Sequence, residues 1–240
     1  MNVIEIFASI DGEGSRQGLL TTFLRLHDCN IRCSYCDTTY SYGIDSVFTE
    51  MTICEVADVI ESLGNHRITG GEPLLQEAAV VELIDELNRR KALKIQDSPS
   101  SQSDLNPIND VDKFDKRKIP NISYYDFNIE TNGTIIPSFH RDNVWFTYDY
   151  KTPSSLAEES MNIEIFKVTT ESDLIKFVVG SPEDLDRMRH IIGKYSTKAP
   201  VCGKIEAASI IEYMKAYNLQ NVRFQLQIHK FVWDPDAKGV

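Results

Sequence analysis

The chain has 240 residues, 42% hydrophobic and 25% charged, which suits one globular α/β domain with a sizeable core and argues against a disordered chain. Its formal net charge of −11 is spread over mixed acidic and basic residues, so nucleic acid is not the expected partner. An anionic substrate would need a local cluster of Arg, Lys or His inside a pocket.

The opening segment, Met1 to Phe7, has no basic stretch followed by an apolar run, and no apolar stretch is long enough to span a bilayer. A cytoplasmic protein with no membrane association is therefore expected. Thr22 to Leu26 reads as a strand leading into a cysteine-rich loop. Thr52-Ile53-Cys54-Glu55 reads as a capping box, because the Thr hydroxyl and the Glu carboxylate can each satisfy an orphan amide. Behind it Ile53, Val56, Ala57 and Ile60 fall at helical spacing. His66 to Thr69 is a short strand running into Gly70-Gly71-Glu72-Pro73, and Leu74 to Arg90 is an amphipathic helix with Leu75, Ala78, Val81 or Leu83, and Leu87 on one side.

Gln96 to Asn121 is rich in Ser, Asp, Asn, Lys and Pro without a period, and reads as a solvated insertion into a single domain spanning residues 1–240. Further strands are predicted at Phe127–Glu130, Val144–Tyr150, Leu174–Val179 and Val222–Gln227. Helices are predicted from Ser181-Pro182-Glu183-Asp184, where Ser caps and Pro fits the first turn, and over Glu206 to Tyr217. The alternation of strand and helix marks βα units around a mostly parallel sheet.

Three of the five cysteines lie in Cys29-Asn30-Ile31-Arg32-Cys33-Ser34-Tyr35-Cys36, with spacing C-x3-C-x2-C. Thiolates so close in sequence suit an iron–sulfur or a zinc centre. Structural zinc takes four protein ligands, usually in pairs, and no second pair is present. Cys54 and Cys202 stand alone and read as small apolar packing residues. Three ligands on a 4Fe–4S cluster leave one iron open.

The cysteine loop, with an aromatic residue before its last Cys, resembles the signature of the radical S-adenosylmethionine superfamily, and Gly70-Gly71-Glu72-Pro73 resembles a second motif of that superfamily. There the open iron chelates S-adenosylmethionine, and an electron from the cluster breaks a C–S bond to give a 5′-deoxyadenosyl radical. The glycines are expected to let the backbone approach the methionine moiety. Asp11-Gly12-Glu13-Gly14, Cys36-Asp37-Thr38, Glu130-Thr131-Asn132-Gly133 and Gln227-Ile228-His229-Lys230 resemble, in that order, segments of one member family, 7-carboxy-7-deazaguanine synthase. Asp11 departs from that family's usual Gln, and the insertion is longer than its usual connection.

This resemblance implies an incomplete (βα) barrel with the radical S-adenosylmethionine core, its site carried by loops at the C-terminal ends of the strands. It implies a lyase of queuosine (7-deazapurine) biosynthesis that contracts 6-carboxy-5,6,7,8-tetrahydropterin to 7-carboxy-7-deazaguanine with loss of ammonia. By the same resemblance Cys29, Cys33 and Cys36 hold the cluster, Thr38 a magnesium ion, and Tyr35, Asp37, Gly71 and Lys151 S-adenosylmethionine. Asp11, Gly12, Glu13, Arg25, Thr69 and His229 meet the pterin, Glu13 at its amide and amino edge and Arg25 and His229, with Lys230 nearby, at its carboxylate. A flavodoxin- or ferredoxin-type electron donor and a homodimer are implied as partners. Taken singly, Arg25 reads as an ion-pair residue and His229 as a hydrogen-bonded core residue. The alternatives in function are an activating enzyme for a glycyl-radical enzyme and a metal-binding regulatory module without catalysis.

Overall fold

Apolar and polar residues alternate along the strands, and that alternation decides the layering. In Phe127–Thr131 the side chains of Phe127 and Ile129 are wholly buried in the hydrophobic core, while Asn128 and Glu130 point the other way. Leu24 and Leu26, Ile68, Phe146 and Tyr148, and Ile175 and Phe177 repeat the pattern on neighbouring strands, with Arg25, Thr69, Thr147 and Lys176 on the opposite face. A parallel sheet covered by helices on both faces would be apolar throughout. Here helices cover one face, and the other is polar and lines a cavity.

The structure, a computed structural model, describes residues 1–61, 66–97, 126–195, 199–203, 206–234 and 237–239. In chain order these form β1 (Asn2–Ile10), β2 (Leu20–Leu26), β3 (Thr49–Glu50), α1 (Ile53–Glu61), β4 (His66–Gly70), α2 (Glu77–Asp97), β5 (Phe127–Thr131), β6 (Val144–Tyr150), α3 (Ile165–Val168), β7 (Leu174–Val179), α4 (Pro182–Tyr195), β8 (Ala199–Gly203), α5 (Ala207–Ala216), β9 (Val222–Gln225) and α6 (His229–Val232). The sheet order is β3-β1-β2-β4-β5-β6-β7-β8-β9. From β2 to β9 neighbours run parallel; β1 runs antiparallel to both β2 and β3. The sheet is open, as an incomplete (βα) barrel requires.

The helices bury the periodic residues that made them readable. Val56, Ala57 and Ile60 of α1 meet Val80, Leu83, Ile84 and Leu87 of α2, and Leu185, Met188, Ile191 and Ile192 of α4 extend the same core. Each such side chain contributes about 1.5–3 kcal/mol of burial. The capping box forms in both directions: Thr52 N donates to Glu55 Oε2 at 2.8 Å, and Glu55 N donates to Thr52 Oγ1 at 3.2 Å. Asp184 N donates to Ser181 Oγ at 3.2 Å, the predicted cap of α4.

Several expectations need correction. The helix after Pro73 begins as a 3-10 turn, Pro73–Gln76, and continues to Asp97 rather than Arg90. The tight turn rotates the helix phase, so Leu75 and Ala78 are exposed, Val81 is half-buried, and Leu74, Val80 and Ile84 take the core positions. Cys54 is exposed on α1 and packs against nothing apolar enough to bury it. Strands β1 and β8 were not foreseen. The first is only half-buried along most of its length and lacks a clean alternation, and the second carries Pro200 and Gly203, which a strand pattern disfavours. Apart from its first two residues, which end α2, the predicted insertion lies outside the described residues.

Candidate active site

Every residue singled out above for cluster, cofactor, metal or substrate lines one cavity of about 590 Å³ on the polar face of the sheet. The turns after β2, β4, β5 and β6 carry the cysteines, Gly71, Asn132 and Lys151 at the C-terminal ends of their strands. Asp11, Gly12 and Glu13 come from elsewhere. Because β1 is antiparallel, Ile10 lies beside Leu20, and the hairpin that follows sits at the opposite, N-terminal end of the parallel strands. The expectation that all site loops share the C-terminal end is therefore corrected. The hairpin reaches the far edge of the sheet: Gly14 N donates to Gln225 Oε1 at 2.9 Å, and Gln225 Nε2 donates back to Gly14 O at 2.8 Å.

The cysteine loop is held on three sides. Asp28, with a positive φ of 78°, turns the chain out of β2, and its side chain accepts from Cys29 N at 2.7 Å. Asn132 Nδ2 donates to Asn30 Oδ1 at 2.9 Å and reaches Cys29 Sγ at 3.7 Å, while Ser34 bonds to the carbonyls of Ser154 and Ser155. Arg32 donates to the carbonyls of Cys29 and Ile31 and lies over the Tyr42 ring. Burial pushes the Cys29 and Cys33 thiols above their ordinary pKa.

Cys29, Cys33 and Cys36 are free and half-buried. Among the described residues no three Cys, His, Asp or Glu side chains close on a point where one metal ion would sit. Three thiols around a cavity, each able to take its own iron, fit a multi-iron cluster better than a single tetrahedral zinc.

Glycine at 71 is also required by the chain itself. A Cβ there would fall 1.9 Å from the Asp28 carbonyl oxygen and 2.9 Å from Cys29 Cβ, and one at Gly70 would fall 2.6 Å from the Leu26 carbonyl oxygen. The absent side chains let β4 pass close to β2 and so seat the cysteine loop. Glu72, wholly buried, then accepts from Leu74 N, Asn132 N and the Thr131 hydroxyl, tying the turn after β4 to the turn after β5.

The substrate end is a charge network. Lys176 Nζ sits 2.8 Å from Glu13 Oε2, 3.3 Å from Asp149 Oδ2, and in contact with Glu130. Arg67 pairs with Glu130 at 2.9 Å and also with Asp11. Asp11, in place of a neutral Gln, is thus one side of a buried ion pair. Burial, only partly offset by Arg67, leaves its pKa above the ordinary range. Burial pushes Glu13 and Glu130 upward, but their partners together, Lys176 and Gln227 for the first and Arg67, Lys176 and Lys151 for the second, bring both below the ordinary range. Lys151 pairs with Asp149 at 3.0 Å; burial pushes its ammonium down, but Asp149 together with Cys33 and Tyr35 leaves it above the ordinary range. Burial and Asp149 push the Tyr35 phenol up to about 12.

The two groups expected at the substrate carboxylate have different surroundings. Arg25 Nε is already engaged by Glu5 Oε1 at 2.7 Å, which also accepts from the Tyr40 hydroxyl, so only its terminal nitrogens remain to meet a ligand among the described residues. His229 lies against Gly12, where a Cβ would come 1.9 Å from its Nδ1. Burial lowers its pKa, partly offset by the nearby Glu13 carboxylate. Lys230 faces Asp37 at 3.6 Å. Thr38 Oγ1 donates to Asp37 Oδ1 at 3.0 Å, and Thr69, one residue before the end of β4, lies beside Arg25 in register. Arg67, Lys176 and Asp149 were missed; the one sign of them in the sequence is a single formally charged residue inside each of three short strands.

A family described as "4Fe-4S single cluster domain" matches residues 10–102, which include the cysteine loop. The chain is 34% identical over 250 residues to the 7-carboxy-7-deazaguanine synthase of Clostridium acetobutylicum, covering 99% of this chain and 98% of that protein. The chain belongs to the 7-carboxy-7-deazaguanine synthase family. A second member, from Methanospirillum hungatei, is 34% identical over 98% of this chain and 86% of its own length, and one from Chlorobaculum tepidum is 31% identical over 100% and 97%. The crystal structure of QueE from Escherichia coli shares the fold, with a TM-score of 0.67 at 18% identity over 94% of this chain and 92% of that one. Members of the synthase family thus match this chain end to end, with the insertion included in the aligned span.

Proposed function

We propose that the chain is a 7-carboxy-7-deazaguanine synthase acting on 6-carboxy-5,6,7,8-tetrahydropterin, with loss of ammonia, in the route to queuosine. One observation carries this reading: a single cavity joins three free cysteines at one end to Glu13, Arg25 and His229 at the other. When bound, a 4Fe–4S cluster supplies the electron that cleaves S-adenosylmethionine to a hydrogen-abstracting radical.

The chain's own residues bind, orient and shield. Cys29, Cys33 and Cys36 would hold the cluster, with Asn132 directed at the Cys29 sulfur. Lys151, Tyr35, Asp37 and the Gly71 backbone, which line the same cavity, would hold S-adenosylmethionine. Glu13 keeps two lone-pair sites beyond those used by Lys176 and Gln227, enough for the donor edge of a pterin. The Arg25 terminal nitrogens and the His229 imidazole would meet the substrate carboxylate. Thr38 and the exposed carboxylate of Asp37 offer hard oxygens to a magnesium ion that keeps most of its waters. The reading further includes a carbon–nitrogen lyase activity, an external flavodoxin- or ferredoxin-type reductant, a homodimer and a cytoplasmic location. Among the described residues no helix is long and apolar enough to cross a membrane.

The test is anaerobic reconstitution with iron and sulfide, reduction, and mass spectrometry of products with the carboxypterin present. Formation of 7-carboxy-7-deazaguanine alongside 5′-deoxyadenosine is the expected result. Cleavage of S-adenosylmethionine with the pterin left intact would overturn the proposed substrate.

A further inference from the structure

Four carboxylates and three cations meet on the floor of the cavity, and they are not equally provided for. Glu130 faces both Arg67 and Lys176, Asp149 faces both Lys151 and Lys176, and Asp11 faces Arg67. Glu13, 7% exposed, has Lys176 as its one cationic partner among the described residues, the other hydrogen bond coming from the neutral Gln227 amide. Lys176 is itself 5% exposed and stands in the middle of β7, on a strand with no other charged residue.

We propose that Lys176 is a positioning residue for substrate recognition, holding the Glu13 carboxylate as a charged, oriented acceptor for the amide and amino edge of the pterin. The inference rests on Glu13 being the pterin contact. Its physical basis is that a buried carboxylate without a cation takes up a proton, and a protonated Glu13 presents a donor where the ligand also presents donors. The other groups around Glu13 cannot replace Lys176. Glu130 and Asp149 repel its charge, Arg67 is committed to Asp11 and Glu130, and burial lowers the pKa of His229.

The experiment measures carboxypterin binding anaerobically on the reconstituted protein by calorimetry, with S-adenosylmethionine affinity and iron content as controls. At about pH 6.5 Lys176→Met should bind the pterin roughly 30-fold or more weakly than the parent, the effect of removing one partner of a buried charged pair. Its affinity should recover as the pH is raised to about 9 and Glu13 ionises. Lys176→Arg, which keeps a cation, should restore the flat profile of the parent. Adding Glu13→Gln to Lys176→Met should abolish the pH dependence, assigning it to Glu13.

Should Lys176→Met fail to fold, Lys176→Met combined with Glu130→Gln removes one charge of each sign and takes the same measurements. A weak affinity that does not change with pH would mean that Lys176 is merely structural and would overturn the inference, as would affinity equal to the parent's. If the parent itself binds no carboxypterin, the functional reading falls and this inference with it. Parent binding with an indifferent Lys176→Met overturns this inference alone.

Discussion

The Thr131 hydroxyl donates to both oxygens of Glu72 at 2.9 Å, and this contact fastens the turn that follows β4 to the turn that follows β5. Asn132, the next residue, reaches Asn30 and Cys29 in the cysteine loop, so Glu72 indirectly sets the position of a cluster ligand. Removing the carboxylate leaves three buried donors without their acceptor, each costing about 1–3 kcal/mol. Glu72→Ala is expected to lose about 3 kcal/mol or more of stability by denaturant titration, and to retain less iron after reconstitution. Full iron retention in a stable Glu72→Ala would refute this link.

Gly71→Ala should be worse for the cluster than for the fold as a whole. Its Cβ would lie 1.9 Å from a backbone oxygen, and that oxygen belongs to the residue that turns the chain toward Cys29. The expected outcome is folded protein with little bound iron, read from the charge-transfer absorption after reconstitution. Gly193→Ala serves as the control, since nothing lies within 4 Å of its added methyl group in the last turn of α4. That variant should keep its iron and gain up to about 1 kcal/mol from helix propensity.

Glu13→Ala and Arg25→Ala should weaken carboxypterin binding by about 2–5 kcal/mol, roughly 30- to 5,000-fold, while leaving S-adenosylmethionine affinity and the cluster in place. Gly12→Ala tests the same end of the cavity without touching a charge. Its methyl group would displace the His229 ring, and pterin affinity should fall with the iron content unchanged. Undiminished binding in all three variants would remove the pterin from this end of the cavity.

His66 gives the fold an acid-sensitive element. It is 2% exposed, packs 5.2 Å from Phe127, and burial lowers its pKa from 6.5 to about 4. Because the folded value is below the unfolded one, its contribution is complete above about pH 6.5 and is lost as pH falls toward 4. The loss amounts to about 3 kcal/mol across that window. His66→Phe should flatten this part of the stability–pH curve; an unchanged slope would place the acid lability elsewhere.

Much of the architecture was readable because local chemistry agreed with the global fold. The Thr52–Glu55 box, the Ser181 cap and the strands of β5, β6 and β7 all stand where composition and periodicity put them. The cofactor end was readable for a similar reason: Cys29, Cys33, Cys36, Gly70 and Gly71 are rare residue types in short, ordered motifs. Arg67, Asp149 and Lys176 escaped because each is a single charge in a strand, and their partners lie on other strands. Lys176 is 163 residues from Glu13, a relationship that only the folded sheet creates by bringing both onto its polar face. The second constraint on Gly71, the close approach of Asp28, escaped because it arises between strands that only the fold brings together.

The bonds from the first hairpin to the last strand have a consequence for how the protein is made. Glu13 and Gln227 are 214 residues apart, and Gly14 and Gln225 are 211 apart. The segments that seat the cysteine loop lie between residues 28 and 155, so they leave the ribosome well before β9 does. A growing chain can therefore assemble its metal-binding end while its substrate end still lacks Gln225, Gln227 and His229. Contacts across such separations are also the slowest to form. A variant weakened only at Gln225 or Gln227 should accumulate as a species that takes up iron before it can recognise a pterin.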